Sequence, residues 1–194
     1  MSYNSLEEQN THVILVDSQD NCIGIMDKLS AHRAGKLHRA YSILVFRKYR
    51  DTIELLIQQR ANSKYHGGGL WTNTCCSHPQ PGNDLLEDAT KRLLVEMGIK
   101  ITLIEVGVFQ YFADLNNNMF EHEIDHVLIG YWVEQNVHPN PLEVDNYCWI
   151  SIHKLQEQLA ECPQVFTPWL PQVLNIALTS KQFIHYFGQL KRLS

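Results

Sequence analysis

Glu121-His-Glu-Ile-Asp-His-Val-Leu-Ile-Gly-Tyr-Trp-Val133 is the stretch on which the fold turns. It contains His122-Glu-Ile-Asp-His126, the H-E-x-x-H spacing that on a helix brings two imidazoles to one zinc ion and makes the glutamate a hydrolytic base. The residues after His126 are β-branched and aromatic, so Met119 to Glu134 reads as a strand instead. At about 3.3 Å per residue the two histidines then stand roughly 13 Å apart, beyond bonds of about 2 Å to a shared ion. The zinc-protease pattern is rejected. On a strand, alternate side chains share a face, so Glu121 and Glu123 fall together and His122 points the other way. Two carboxylates that close repel, unless one takes a proton or a cation joins them. The competing account is a solvated pair on an exposed edge.

A second stretch, Trp71-Thr-Asn-Thr-Cys-Cys-Ser-His-Pro79, sets a thiol at Cys76 two residues before an imidazole at His78. In extended chain these two look into one space, while Cys75 and Ser77 look out of the other side. With His32 and His38 added, the candidate metal ligands are three imidazoles and the carboxylates of Glu121 and Glu123. Such a mixed nitrogen and oxygen set suits zinc, manganese or iron better than calcium. No spacing rule joins these segments.

The rest of the chain frames them. His12–Asp17 and Cys22–Met26 read as a hairpin, and Asp27 caps a short helix ending near Gly35. Arg39–Lys48 and Thr52–Gln59 make a second hairpin. Gly67-Gly-Gly69 reads as a flexible loop more readily than as a phosphate cradle. Asn83–Met97 is the clearest helix. Asp84 and Glu87 open it, Leu86, Ala89, Leu93 and Met97 form its apolar stripe, and Gly98 closes it. Arg92 and Glu96, four apart, read as a surface ion pair unless that face meets a site. A strand from Ile101 to Asp114 and a turn at Leu115–Asn118 precede the returning strand. Tyr147–Ile150 is a short strand, and Ser151 caps a helix through Glu161. Thr167-Pro168 starts another helix, and Ser180 starts the last, to Leu193. The order is α+β: a mixed or antiparallel sheet with a central helix and a C-terminal helical cap. One domain is expected over residues 1–194, loosely ordered over 1–11 and helical over 151–194.

A net charge of −5 with no basic run excludes nucleic acid and an anionic membrane as partners. No apolar run nears the ~20 residues of a membrane span, and the N-terminus is polar, so a cytoplasmic protein is expected. Cys22, Cys75, Cys76, Cys148 and Cys162 are odd in number and scattered, which points to free thiols in a reducing compartment.

These motifs resemble the type I isopentenyl-diphosphate delta-isomerases, which have a Nudix-like fold. The resemblance rests on Ala31-His32, Leu37-His-Arg-Ala40, Trp71–Pro79, Glu121-His-Glu-Ile-Asp125 and Thr167-Pro-Trp169, and spans about His12 to Leu193. It implies an enzyme that interconverts isopentenyl and dimethylallyl diphosphate, with Cys76 and Glu123 handling protons on opposite sides of the substrate. His32, His38, His78, Glu121 and Glu123 would hold a divalent ion, zinc or manganese. Glu96 would bind a second ion, magnesium, that bridges to the diphosphate. Lys28, Arg60, Lys64 and Arg92 would bind the diphosphate, and Tyr111 and Trp169 would lie at the hydrocarbon end. In one division of labour Glu123 with Tyr111 delivers the proton and Cys76, as thiolate, takes one; the reverse division is equally open. The protein would be a monomer or weak dimer. The alternative is a Nudix-type diphosphate hydrolase, whose helix needs glutamates where this chain has Leu93 and Met97. Without them a metal-activated water lacks its ligands and base.

Overall fold

A computed structural model describes residues 11–64, 67–115, 118–132 and 136–190. Its spine is β3 (His38–Tyr49), a twelve-residue strand buried along most of its length. Both faces are covered, which is why Tyr-Ser-Ile-Leu-Val-Phe46 reads as a nearly continuous apolar run rather than an alternating one. Leu44 and Phe46 enter one core, with Phe166 and, from the C-terminal helices, Leu170, Val173 and Phe183. Tyr41, Ile43 and Val45 enter a second core, with Ala89, Leu93 and Met97.

β3 pairs in parallel with β8 (Phe120–Tyr131), from His38↔Glu123 to Phe46↔Tyr131. It pairs antiparallel with β4 (Thr52–Arg60) and with the short β6 (Cys75–Ser77), and touches β1 (His12–Val16) at Leu15↔His38. β2 (Cys22–Asp27) flanks β1, β7 (Leu103–Asp114) flanks β8, and β4 also carries β5 (Trp71–Thr72) and β9 (Val144–Ser151). The sheet is mixed. β8 is a strand through both histidines of the H-E-x-x-H pattern, and they go to different partners. His122 Nδ1 meets the Gly35 carbonyl at 2.9 Å, and His126 lies between Asp20 at 3.0 Å and Glu105 at 3.1 Å.

The helices start and stop where their end residues direct. α1 (Lys28–Arg33) is capped by Asp27, whose carboxylate accepts from the Ser30 N–H. α2 (Leu85–Met97) is capped by Asp84, which accepts from the Glu87 N–H at 3.0 Å, and ends on Gly98 at φ 69°. α3 (Ile152–Glu161) is capped by Ser151. A 3-10 turn (Pro163–Val165) precedes α4 (Leu170–Thr179) and α5 (Lys181–Leu190). Ser180 opens α5 by accepting from the Phe183 N–H, and the expected end at Leu193 lies outside the described residues.

Thr167 does not cap α4, which starts three residues later after Trp169. The Thr167 hydroxyl is engaged at 2.9 Å by that of Thr72, and its N–H donates to the Trp71 carbonyl, so tertiary bonds to β5 take the group a cap would have used. Trp71–Pro79 contains two short strands, β5 and β6. Thr74 lies between them, its hydroxyl donating to the Leu56 carbonyl and accepting from the Val45 N–H, and so carries the chain from the side of β4 to that of β3.

Gly98 tests this framework. Its left-handed backbone favours glycine, and a Cβ there would lie 2.8 Å from both the Cβ and the carbonyl oxygen of His138. Gly98→Ala is expected to lower unfolding free energy by about 1–3 kcal/mol, read from the denaturant midpoint at unchanged m-value.

Candidate active site

Three adjacent strands build a trough. In β6–β3–β8, Cys76 stands opposite Ser42, and His38 and Ala40 stand beside Glu123 and Asp125. On the face these residues share, β3 contributes only the small side chains of Ala40 and Ser42 between two flanking strands. Two strand spacings of about 4.8 Å set those flanks roughly 10 Å apart. The result is a cavity of about 270 Å³ lined by Ala40, Ser42, Cys76, Tyr111, Glu123 and Trp169, among others.

Each bank is held in place. Tyr111, opposite Glu123 in the β7–β8 register, donates its hydroxyl to Glu123 Oε2 at 2.6 Å. Trp169 donates its indole N–H to Asn73 Oδ1 at 3.2 Å, which fixes its ring 6.3 Å from that of Tyr111. Arg60 lies with Nη1 3.5 Å from the Cys76 sulfur and its guanidinium 5.8 Å from the Trp169 ring. Burial pushes the Cys76 thiol up to about 12, and the Arg60 charge does not offset it.

Beside Glu123 lie the three imidazoles. His32, His38, His78 and Glu123 each offer a ligand atom within 4.8 Å of the others, and all four side chains are buried. His32 and His38 engage the Lys28 and Lys36 carbonyls through Nδ1 at 2.7 Å, so Nδ1 carries the proton and Nε2 presents a lone pair. His38 Nε2 and His78 Nε2 face each other at 3.2 Å, and each is near Glu123 Oε1, at 3.4 and 3.0 Å. Glu121 Oε2 approaches His32 Nε2 at 3.2 Å. Lone pairs converging on a carboxylate in a buried space repel unless a cation neutralises them, so the donors fit a divalent metal ion. Burial opposes charge on Glu123, yet its contacts with His38 and His78 hold its carboxyl well below the usual range. His78 is pressed well below an ordinary imidazole by burial.

The other end of the cavity is cationic. Lys28, Arg60, Lys64 and Arg92 all line it. Burial, and then the charges of Arg92 and Lys64, bring the Lys28 ammonium down to about 8. Gly68 lets the loop behind Arg60 close, since a Cβ there would meet carbonyl oxygens of Asn62, Lys64 and Ala61 at 2.9–3.2 Å. Close backbone approach, rather than flexibility, accounts for that glycine. Glu96 stands apart from the His/Glu group. Its Oε2 takes Arg92 Nη2 at 2.6 Å and Nε at 2.8 Å, and its Oε1 takes Gln58 Nε2 at 2.6 Å. The Arg92–Glu96 pair is thus buried against the site and not on the surface.

A NUDIX domain matches residues 36–170. An isopentenyl-diphosphate Delta-isomerase of Photobacterium profundum is 47% identical over 175 residues, covering 89% of this chain and 96% of that protein. One of Nocardia farcinica is 45% identical, covering 85% and 93%. The chain belongs to the isopentenyl-diphosphate Delta-isomerase family. Among solved structures, DR0079 of Deinococcus radiodurans has a TM-score of 0.68 at 14% identity, covering 85% of this chain and 98% of its own. The MutT protein of Methanosarcina mazei has a TM-score of 0.56 at 18% identity, covering 72% and 91%. These two share the fold. Membership of the isomerase family favours isomerisation over the hydrolytic alternative, and the structure adds that Leu93 and Met97 are wholly buried in apolar core.

Sequence reasoning missed three residues. Ala40 and Ser42 shape the trough by being small, and Glu143 lines the cationic end. Glu143 is 2% exposed, with its carboxylate on Lys64 and, at 2.7 Å, on Arg92 Nη2. It sits in a loop with no motif, and only the fold brings it to the site. Burial opposes its charge, but Arg92 and then Lys64 outweigh it and hold the carboxyl at about 2, below an ordinary 4.5. A depressed carboxylate contributes stability that is full above pH 4.5 and is lost as pH falls towards 2. Glu143→Gln is expected to remove roughly 3 kcal/mol of the acid dependence of stability in that window, read by denaturant titration from pH 5 to 2.

Proposed function

We propose that this protein interconverts isopentenyl diphosphate and dimethylallyl diphosphate, with Cys76 and Glu123 exchanging protons with opposite sides of the five-carbon chain. The observation that carries this reading is the placement of both groups on the banks of one narrow cavity whose far end gathers four cations. A proton goes onto the terminal alkene carbon, which leaves the tertiary carbon electron-deficient. A proton then leaves the neighbouring methylene, and its bonding pair forms the new double bond. An alkene is a feeble base, so the acid must be well placed and water kept out. Glu123 is buried and Cys76 half-buried, which supports both requirements. Trp169, fixed by Asn73, would present its ring face to the positive carbon, a contact worth about 2 kcal/mol when dry.

Tyr111 keeps the Glu123 carboxylate aimed at the trough and would share its proton. A divalent ion on His32, His38, His78 and Glu123, with Glu121 beside it, would supply a fixed positive charge that orients and polarises that carboxylate. Its donor set favours zinc or manganese. Lys28, Arg60, Lys64 and Arg92 would bind the diphosphate and leave the hydrocarbon over Ala40 and Ser42. Magnesium would accompany the diphosphate near Glu96, whose oxygens are now taken by Arg92 and Gln58. All five cysteines are free thiols, which supports a reducing, cytoplasmic setting; a monomer or weak dimer completes the reading.

Incubation with isopentenyl diphosphate and magnesium in deuterated water tests the proposal. Deuterium should enter both isomers, Cys76→Ala should lower incorporation at least about 1,000-fold, and Ala40→Leu should do the same by filling the trough while the bound ion is retained. His38→Ala should lose the ion on dialysis. Release of inorganic phosphate without allylic labelling would instead indicate a hydrolase.

A further inference from the structure

The cationic end of the cavity already holds an anion of the protein's own. Glu143 puts one carboxylate oxygen on both Lys64 and Arg92, and all three line the cavity. That oxygen cannot drift away with its loop. The Glu143 carbonyl accepts from the Ala61 N–H at 2.9 Å, and Asp145 accepts from the Asn62 N–H and side-chain amide at 3.0 and 2.6 Å. Asn140, which turns the chain ahead of Glu143, donates its N–H to the Glu96 carbonyl at 2.9 Å. The segment bearing Lys64, the segment bearing Glu143 and the C-terminal turn of α2 are therefore stitched together. The carboxylate leaves the two cations only by rotation of its own side chain.

We propose that Glu143 is a specificity-determining residue: its carboxylate occupies the anion subsite between Lys64 and Arg92, and only an anion able to displace it, a diphosphate rather than a monophosphate, is admitted. The inference rests on the diphosphate assignment in the proposed function. An incoming group must replace two charge-assisted contacts made by an anion already in place and already desolvated. A monophosphate brings about two charges on one phosphoryl group, which must meet that cost alone. A diphosphate spreads its charge over two phosphoryl groups. One competes with Glu143 for Lys64 and Arg92 while the other reaches Lys28 and Arg60, which line the same end of the cavity. The same displacement takes Arg92 from Glu143 and offers it a richer partner, so substrate binding and release of the internal carboxylate are one event. The low carboxyl pKa of Glu143 is consistent with this, because it keeps the competing charge present across the whole physiological range.

Calorimetric titration of the metal-loaded protein with inorganic pyrophosphate and, separately, inorganic phosphate tests the idea in wild type, Glu143→Gln and Glu143→Asp. Glu143→Gln should bind pyrophosphate roughly tenfold tighter and gain more for phosphate, so that the ratio between the two ligands narrows. Glu143→Asp, whose shorter arm grips the cations less well, should move in the same direction by less. Thermal melts identify a variant that does not fold, and if Glu143→Gln is such a variant then Glu143→Asp decides. Folded variants that bind pyrophosphate no tighter than wild type, or that keep the wild-type ratio, overturn the role of Glu143 and leave the diphosphate site standing. Absence of pyrophosphate binding from wild type and variants alike would remove the diphosphate reading itself, and this inference with it.

Discussion

Parallel pairing of β3 with β8 sets His38 beside Glu123 and Ala40 beside Asp125, and the antiparallel pairing of the same strand with β6 sets Ser42 beside Cys76. Because side chains alternate across a strand, sliding either partner by one residue would turn its chemistry into the opposite face. The register is fixed by burial further along. Leu44, Phe46, Val127 and Ile129 pack into the core under the C-terminal helices, on the face that carries the trough at its other end. The same alternation that packs that core thus delivers Cys76 and Glu123 to one cavity. Placement of the proposed catalytic pair is a by-product of apolar packing several residues away.

The trough concentrates groups that would repel one another if left alone. At one end, imidazole lone pairs and carboxylates converge; at the other, four cations share a wall with Glu143. Each end suits a charge of opposite sign: the first could hold a divalent ion, and the second would take the proposed diphosphate. Asp125 lies beneath, accepting from the Ser42 hydroxyl at 2.8 Å, and burial together with the nearby Glu123 pushes its carboxyl well above the usual range.

Much of this was legible in the chain itself. The alternation of Glu121, His122 and Glu123 and the β-branched residues after them separate strand from helix, and the Cys76–His78 spacing places a thiol and an imidazole on one face. The caps at Asp27, Asp84, Gly98 and Ser151 are local interactions and were readable for that reason. Thr167 was misread as a cap because its hydroxyl is drawn to Thr72, ninety-five positions away in sequence. The i,i+4 spacing of Arg92 and Glu96 was visible, but their burial depends on how α2 meets β6. Glu143 left no local trace: its role exists only because loops before β5 and before β9 meet at the mouth of the cavity. Ala40 and Ser42 matter through what they lack, and small residues in a strand carry no pattern that announces a trough.

The central claim is that a flat five-carbon chain lies over Ala40 and Ser42 with Cys76 on one side and Glu123 on the other. A crystal structure of the metal-loaded protein with a five-carbon diphosphate bearing a tertiary ammonium, which imitates the charge at the reacting carbon, tests it most directly. The account predicts the ammonium between the Cys76 sulfur and the Glu123 carboxylate, facing Trp169, with the diphosphate on Lys28, Arg60, Lys64 and Arg92. An ammonium that leaves Cys76 and Glu123 on the same side of the chain, or that lies outside the trough, would contradict it.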